Sequence, residues 1–150
     1  MGHTFTNHLY HIVFSTKARQ RHIKGPVKDR LLEYIGGIAR GNKATILAIN
    51  AAEDHVHMLA RVQPDIAVSK FVGIVKANSS KWISRTFAEV RIFEWQPGYS
   101  SFSVSESNWQ NVARYIKAQV EHHRKLSFQD ELAKLLQRHG IPFEREHYLD

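Results

Sequence analysis

The chain has 150 residues, 43% of them hydrophobic and 23% charged, and no cysteine. That excludes disulfides, thiolate zinc sites and cysteine nucleophiles, and leaves any metal to His, carboxylate, amide or water ligands. A formal charge of +7 and a pI near 9.8 favour a polyanionic partner, nucleic acid first and an anionic membrane surface second.

The length suits one domain over residues 1–150. No apolar run approaches the ~18 residues of a spanning helix, and MGHTFTNHLYHIVF at the N-terminus lacks the layout of a signal peptide. The expectation is a cytoplasmic protein, associated with the nucleoid when bound to DNA, with no membrane partner.

LYHIVFST (9–16) alternates as a first strand, with Tyr10, Ile12 and Phe14 on one side and His11, Val13 and Ser15 on the other. KARQRHIKG follows as a basic loop carrying Lys17, Arg19, Arg21 and Lys24. From Pro26, apolar residues at 27, 31, 34/35 and 38 predict a helix that Gly41-Asn42 ends. ATILAINAA (44–52) reads as a second strand, and the turn EDH leads into a third, HVHMLARV. Pro64 breaks it, and Asp65 is the expected N-cap of a long helix through Phe87, carrying Lys70, Lys76, Lys81 and Arg85.

WQPGYSSFSVS (95–105) reads as a turn and a fourth strand. SNWQ (107–110) has the capping-box pattern and opens a third helix to about Leu126. SFQDELAKLLQRHG forms a short fourth helix ending at Gly140, and residues 140–150 remain as a docking or disordered tail. The order β-α-β-β-α-β predicts an α+β, ferredoxin-like antiparallel sheet with helices on one face. A further, C-terminal helix bears Tyr115. The sheet's second face is expected to be open.

The third strand carries the main chemical signal. Alternate residues share a face, so Val56, Met58, Ala60 and Val62 can build a core while His55, His57, Leu59 and Arg61 face the other way. Two imidazoles about 6.5–7 Å apart along the backbone can converge on one divalent ion, although surface or hydrogen-bonded histidines fit the pattern as well. On the third helix, Trp109, Val112, Ala113, Ile116 and Val120 make an apolar stripe, beside which Asn108, Asn111, Tyr115, Gln119 and His122 cluster.

Tyr115 and Gln119 are neighbours at i and i+4. They read either as a stripe-edge tyrosine on a solvated face or as a tyrosine nucleophile one turn from an amide ligand, backed by His122, His123, Arg124 and Lys125. A phenol of pKa near 10 needs a base, a cation or a metal to attack a phosphodiester at neutral pH. Three protein ligands with open positions suit Mg²⁺ or Mn²⁺ better than zinc.

The HVH of the third strand, YIKAQ of the third helix, YHIVFSTK and WQPGYSSFSVS together resemble the small single-tyrosine HUH transposases of bacterial insertion sequences, above all the REP-associated tyrosine transposases. The resemblance runs from about residue 8 to the C-terminus. It implies a metal-dependent enzyme that nicks and rejoins single-stranded DNA through a 5′-phosphotyrosine link at Tyr115, with His55, His57 and Gln119 as metal ligands and no nucleotide cofactor. It also implies recognition of hairpin DNA and a homodimer in which the tyrosine helix can complete the partner's site; whether Tyr115 acts in cis or in trans stays open.

Asp54 reads as a carboxylate that orients a ligand histidine or as a turn residue, and His122 as a secondary candidate. His11 reads as a hydrogen-bonded surface histidine or as a neighbour of the site. Lys17, Arg19, Arg21, Lys24, Lys76, Lys81, Arg124 and Lys125 are candidate DNA contacts. Trp95, beside Pro97-Gly98, is expected to be an exposed aromatic, and Trp109 to be core. Two other classes are a non-catalytic or domesticated hairpin-binding regulator and a metal-dependent nuclease using an activated water.

Overall fold

The protein is described by a computed structural model covering residues 2–119 and 126–149. Strands β1 (Leu9–Ser15), β2 (Ala44–Ala51), β3 (His55–Val62) and β4 (Ser100–Val104) form one antiparallel sheet in the order β2-β3-β1-β4. Helices α1 (Pro26–Gly41) and α2 (Val68–Thr86) are the crossovers, and α3 (Trp109–Lys117) and α4 (Phe128–Arg138) follow β4. This is the ferredoxin-like α+β arrangement that the element order predicts.

α1 begins with Pro26, whose fixed φ and missing N–H suit the first turn of a helix. It buries Val27, Leu31, Ile35 and Ala39, spaced four residues apart on one face. α2 buries Phe71, Val72, Val75 and Ile83 on the same side of the sheet. They meet Ile12 and Phe14 of β1 and Val56, Met58, Ala60 and Val62 of β3, which form the main core.

The opposite face is covered as well, against the expectation of an open surface. α3 lays Ala113 and Ile116 on Ala48 and Leu59, while Phe128, Leu132, Leu135 and Leu136 of α4 close over Val13 and Phe102. Seven of the eight residues of β3 are consequently buried. The reason is the amphipathic α4: four large apolar side chains on one stripe need a partner surface, and Val13 and Phe102 supply it. Beyond α4, Phe143, Tyr148 and Leu149 pack against the same cluster, and Tyr148 Oη donates to the carbonyl of Gln129 at 2.7 Å.

Several local expectations differ. Ala67, not Asp65, precedes α2, because the Asp65 carboxylate is engaged by Lys43. α3 starts after Asn108 with no side-chain cap; Ser107 instead shares a hydrogen bond with Ser105. Regular α3 ends at Lys117, short of the predicted Leu126, and residues 120–125 lie outside the described residues. Trp95 is buried, not exposed: its ring meets Phe14 and Phe93 edge-on, and its Nε1 donates to Ser79 Oγ at 2.9 Å.

Candidate metal and tyrosine site

The site lies between the second face of the sheet and α3 and α4. In the β1–β3 register Val13 stands opposite His57 and His11 opposite Leu59, so His11 is the diagonal neighbour of His57 on the same face. The His57 Nδ1 and His11 Nε2 atoms are 2.8 Å apart. At the start of β3, Asp54 Oδ1 lies 2.7 Å from His55 Nδ1. Each histidine of the pair therefore has its Nδ1 tied to a neighbour, which fixes the ring and turns Nε2 inward.

Both Nε2 atoms meet one carboxylate oxygen. Glu131 Oε1, from the first turn of α4, is 3.3 Å from His55 Nε2 and 3.1 Å from His57 Nε2. Its other oxygen accepts the hydroxyl of Tyr115 and lies 3.3 Å from Gln119 Nε2. His55, His57 and Gln119 are fully buried, Glu131 is 1% exposed and His11 3%. Asn50 Nδ2 on β2 donates to the carbonyl of Lys117 at 3.0 Å, pinning the end of α3 near the site.

The electrostatics follow from this packing. Burial opposes a charge on His55, but the bonds to Asp54 and then Glu131 outweigh it and raise the imidazole above its ordinary pKa. Burial, aided by His57, holds His11 well below its ordinary value, against the pull of Glu131. A neutral His11 can accept the Nδ1–H of His57. Burial and then the Glu131 bond push the Tyr115 phenol well above its usual range.

The donor set fits a hard divalent cation. One donor atom each from His55, His57 and Glu131 lies within 4.8 Å of the others. The two nitrogen–oxygen separations near 3 Å match the ~3.0 Å edge of an octahedron with bonds of about 2.1 Å.

The structure thus brings together His55, His57, Tyr115, Gln119 and Asp54, and adds His11 and Glu131. Glu131, which sequence reasoning missed, touches both imidazoles, whereas the Gln119 amide meets the far oxygen of Glu131. The signal was present in ELAKLL: position 131 sits on the apolar stripe of Phe128, Leu132 and Leu135, where a carboxylate has no reason to be unless it is satisfied inside. His122, Arg124 and Lys125 lie outside the described residues.

Among the other basic candidates, Lys17 pairs with Glu94 at 2.9 Å, and Arg19 and Lys81 are exposed. Lys76 is turned inward. Its Nζ donates to the carbonyls of Gln96 and Gly98 at 2.7 and 2.6 Å, which gives it a loop to hold. Arg21 and Lys24 line a cleft of about 490 Å³ that reaches Asp54 and Phe128. A second cleft, of about 200 Å³, is lined by Tyr115, His11 and Arg138 at the other end of α4. No described helix is long and apolar enough to cross a membrane.

The chain is similar to several known proteins. Residues 4–119 match the family model described as "Transposase IS200 like". The transposase for insertion sequence element IS200 of Salmonella typhimurium is 29% identical over 126 residues, covering 81% of this chain and 82% of the relative. The ISDra2 transposase TnpA of Deinococcus radiodurans is 27% identical over 115 residues, covering 73% and 82%.

Among solved structures, a transposase crystal structure from Deinococcus radiodurans superposes with a TM-score of 0.65 at 26% identity, spanning 79% of this chain and 96% of the other. A REP-associated tyrosine transposase bound to a REP hairpin gives 0.61 at 14% identity, spanning 81% and 72%, a likeness of fold.

Proposed function

The chain belongs to the IS200-like transposases, and we propose that this enzyme cuts and rejoins single-stranded DNA through Tyr115, at a divalent metal held by its own His55, His57 and Glu131. One observation carries the reading: a single buried carboxylate touches both imidazoles with one oxygen and the tyrosine hydroxyl with the other. Nucleophile and metal site are thereby joined within one chain, so a cis reaction needs no second subunit. The homodimer implied by the family resemblance is then an assembly question separate from the chemistry.

Two imidazoles and a carboxylate with positions left for phosphate oxygens suit Mg²⁺ or Mn²⁺. When bound, such an ion polarises a phosphate oxygen and offsets its charge. Glu131 Oε2 accepts the phenol proton as the Tyr115 oxygen bonds to phosphorus and the 3′-oxygen of the preceding nucleotide departs. In rejoining, a 3′-hydroxyl attacks the same phosphorus, the Tyr115 oxygen leaves and regains a proton. One phosphoester bond forms as another breaks, and no nucleotide cofactor enters.

Asp54 and His11 act as positioning residues that hold the rings of His55 and His57. Gln119 braces Glu131; the alternative, in which Gln119 supplies the third ligand through its amide oxygen, is the one that the test below separates. Single-stranded or hairpin-forming DNA as partner rests on the charge of +7 and on the histidine and tyrosine motifs.

The test uses labelled single-stranded oligonucleotides from the DNA flanking the gene, with Mn²⁺ or Mg²⁺, read on denaturing gels. A covalent protein–DNA band is expected, lost with chelator and absent in Tyr115→Phe, while Tyr115→Phe still binds the same DNA. Calorimetric titration with Mn²⁺ should show at least a tenfold loss of affinity in Glu131→Ala and a smaller one in Gln119→Ala; the reverse order would return the third ligand to Gln119. Cleavage without a covalent band would point to an activated water, and binding without cleavage to a regulator.

A further inference from the structure

The larger cleft has no part in the chemistry above, yet it shares two walls with it. Asp54 lines the cleft and bonds His55. Phe128 lines it too, and its ring centroid is 4.4 Å from that of His55. A group seated in the cleft would therefore be one residue's thickness from the metal-binding imidazole.

The lining combines three chemistries. Ile23, Ala51 and Phe128 make an apolar floor of fully or nearly fully buried side chains. Arg21, Lys24 and Lys28 are cations on its rim, and none of the three forms an ion pair with a described residue. Glu53 adds a carboxylate acceptor beside the floor. The first turn of α1, entered through Gly25, borders the same space and adds the positive end of its dipole. The backbone is well anchored there, since the Ile23 amide donates to the Glu53 carbonyl at 2.9 Å.

A volume of about 490 Å³ lies in the range of sites for small organic ligands, roughly 300–1,000 Å³. An aromatic-bearing floor, a cationic rim and one acceptor are the features of a seat for a base with its phosphates outside. We propose that this cleft receives one unpaired nucleotide of the DNA strand next to the phosphate that Tyr115 attacks. Its base lies on the floor against Phe128, its flanking phosphates meet Arg21, Lys24 and Lys28, and Glu53 accepts from an exocyclic amine. The seat fixes the strand's register at the metal site and selects unpaired over paired DNA, because a base within a duplex cannot enter it. This inference rests on the DNA-cutting reading, but its test does not depend on cutting.

The experiment is fluorescence anisotropy in EDTA, with labelled dC12, an abasic chain of the same length, and a blunt hairpin without single-stranded flanks. The proteins are the wild type, Ala52→Trp, which fills the cleft from its lining, Lys28→Glu on the rim, and Arg91→Glu as an exposed charge control. Wild type should bind dC12 at least fivefold tighter than the abasic chain, as expected for one stacked base. Ala52→Trp should bring dC12 down to the abasic level while leaving the abasic chain and the hairpin within twofold. Lys28→Glu should weaken dC12 and the abasic chain at least fivefold, and more than Arg91→Glu does.

Three results overturn the proposal: a preference for dC12 that survives Ala52→Trp, equal losses in Lys28→Glu and Arg91→Glu, or complete competition by millimolar dCMP, which would mark a free-nucleotide site. If Ala52→Trp does not fold, the Lys28→Glu comparison alone decides. Loss of the covalent band with these binding differences intact would defeat the tyrosine chemistry and leave the seat standing.

Discussion

His11 stands at the second remove from any metal, and its burial gives it one task. It is 3% exposed, its Nε2 lies 2.8 Å from His57 Nδ1, and burial keeps it in its neutral form. Truncation to Ala would leave the His57 N–H without its acceptor and the ring free to turn. Such outer partners are worth about 10–100-fold in metal affinity. His11→Ala should therefore weaken Mn²⁺ binding by that factor in calorimetry with the far-ultraviolet circular dichroism unchanged. His11→Gln, which restores an acceptor, should recover most of it. Unaltered Mn²⁺ affinity in His11→Ala would make the contact a packing feature only.

His11 also shows what was legible at this scale. Alternation placed His11, His55 and His57 on one face, but only the strand register sets His11 diagonally beside His57. A sequence gives alternation within a strand and no register between strands. Glu131 was only partly legible for a related reason: its place on the apolar stripe marks it as odd, but its value lies in a contact across 74 residues to His57.

At the scale of elements, α4 does more than its short length suggests. Its periodic Phe128, Leu132, Leu135 and Leu136 were readable as an amphipathic helix, but which surface they would cover was not. The core-building face of β3 was legible because four apolar residues alternate there. The second face, with His55, His57 and Arg61, looked solvated because nothing in its own strand says that another element will cap it.

α4 is entered through Ser127, whose Oγ accepts from the Asp130 amide at 3.2 Å, and whose carbonyl accepts from the Glu131 amide at 2.9 Å. This cap sets the first turn that delivers Glu131 to the imidazoles. Ser127→Ala removes the acceptor of the Asp130 amide at the helix start, a loss of about 0.5–2 kcal/mol. Urea unfolding should report a loss in that range, and Mn²⁺ affinity should fall with it if the cap positions Glu131. A stability loss with metal affinity intact would separate the cap from the site.

For the whole molecule, the candidate metal site of His55, His57 and Glu131 is where the sheet is tied to its outer layer. His55 and His57 come from the central strand β3, and Glu131 from α4. The carboxylate is buried and meets both imidazole nitrogens and the Tyr115 hydroxyl. An ion bound by all three would act only on the folded chain, since unfolding scatters ligands up to 76 positions apart. Binding to the native state alone stabilises by RT ln(1 + [L]/Kd), or ≈2.7 kcal/mol at a hundredfold excess over Kd. For a chain of 150 residues, at roughly 2–4 °C per kcal/mol, that corresponds to a rise in Tm of roughly 5–11 °C. Thermal melts with Mn²⁺ at that excess should show such a rise, reversed by EDTA. In His55→Ala and in Glu131→Ala the rise should vanish together, because the same ion joins both elements. A shift that survives Glu131→Ala undiminished would mean that the ion stays on the sheet, and that α4 covers the site without closing it.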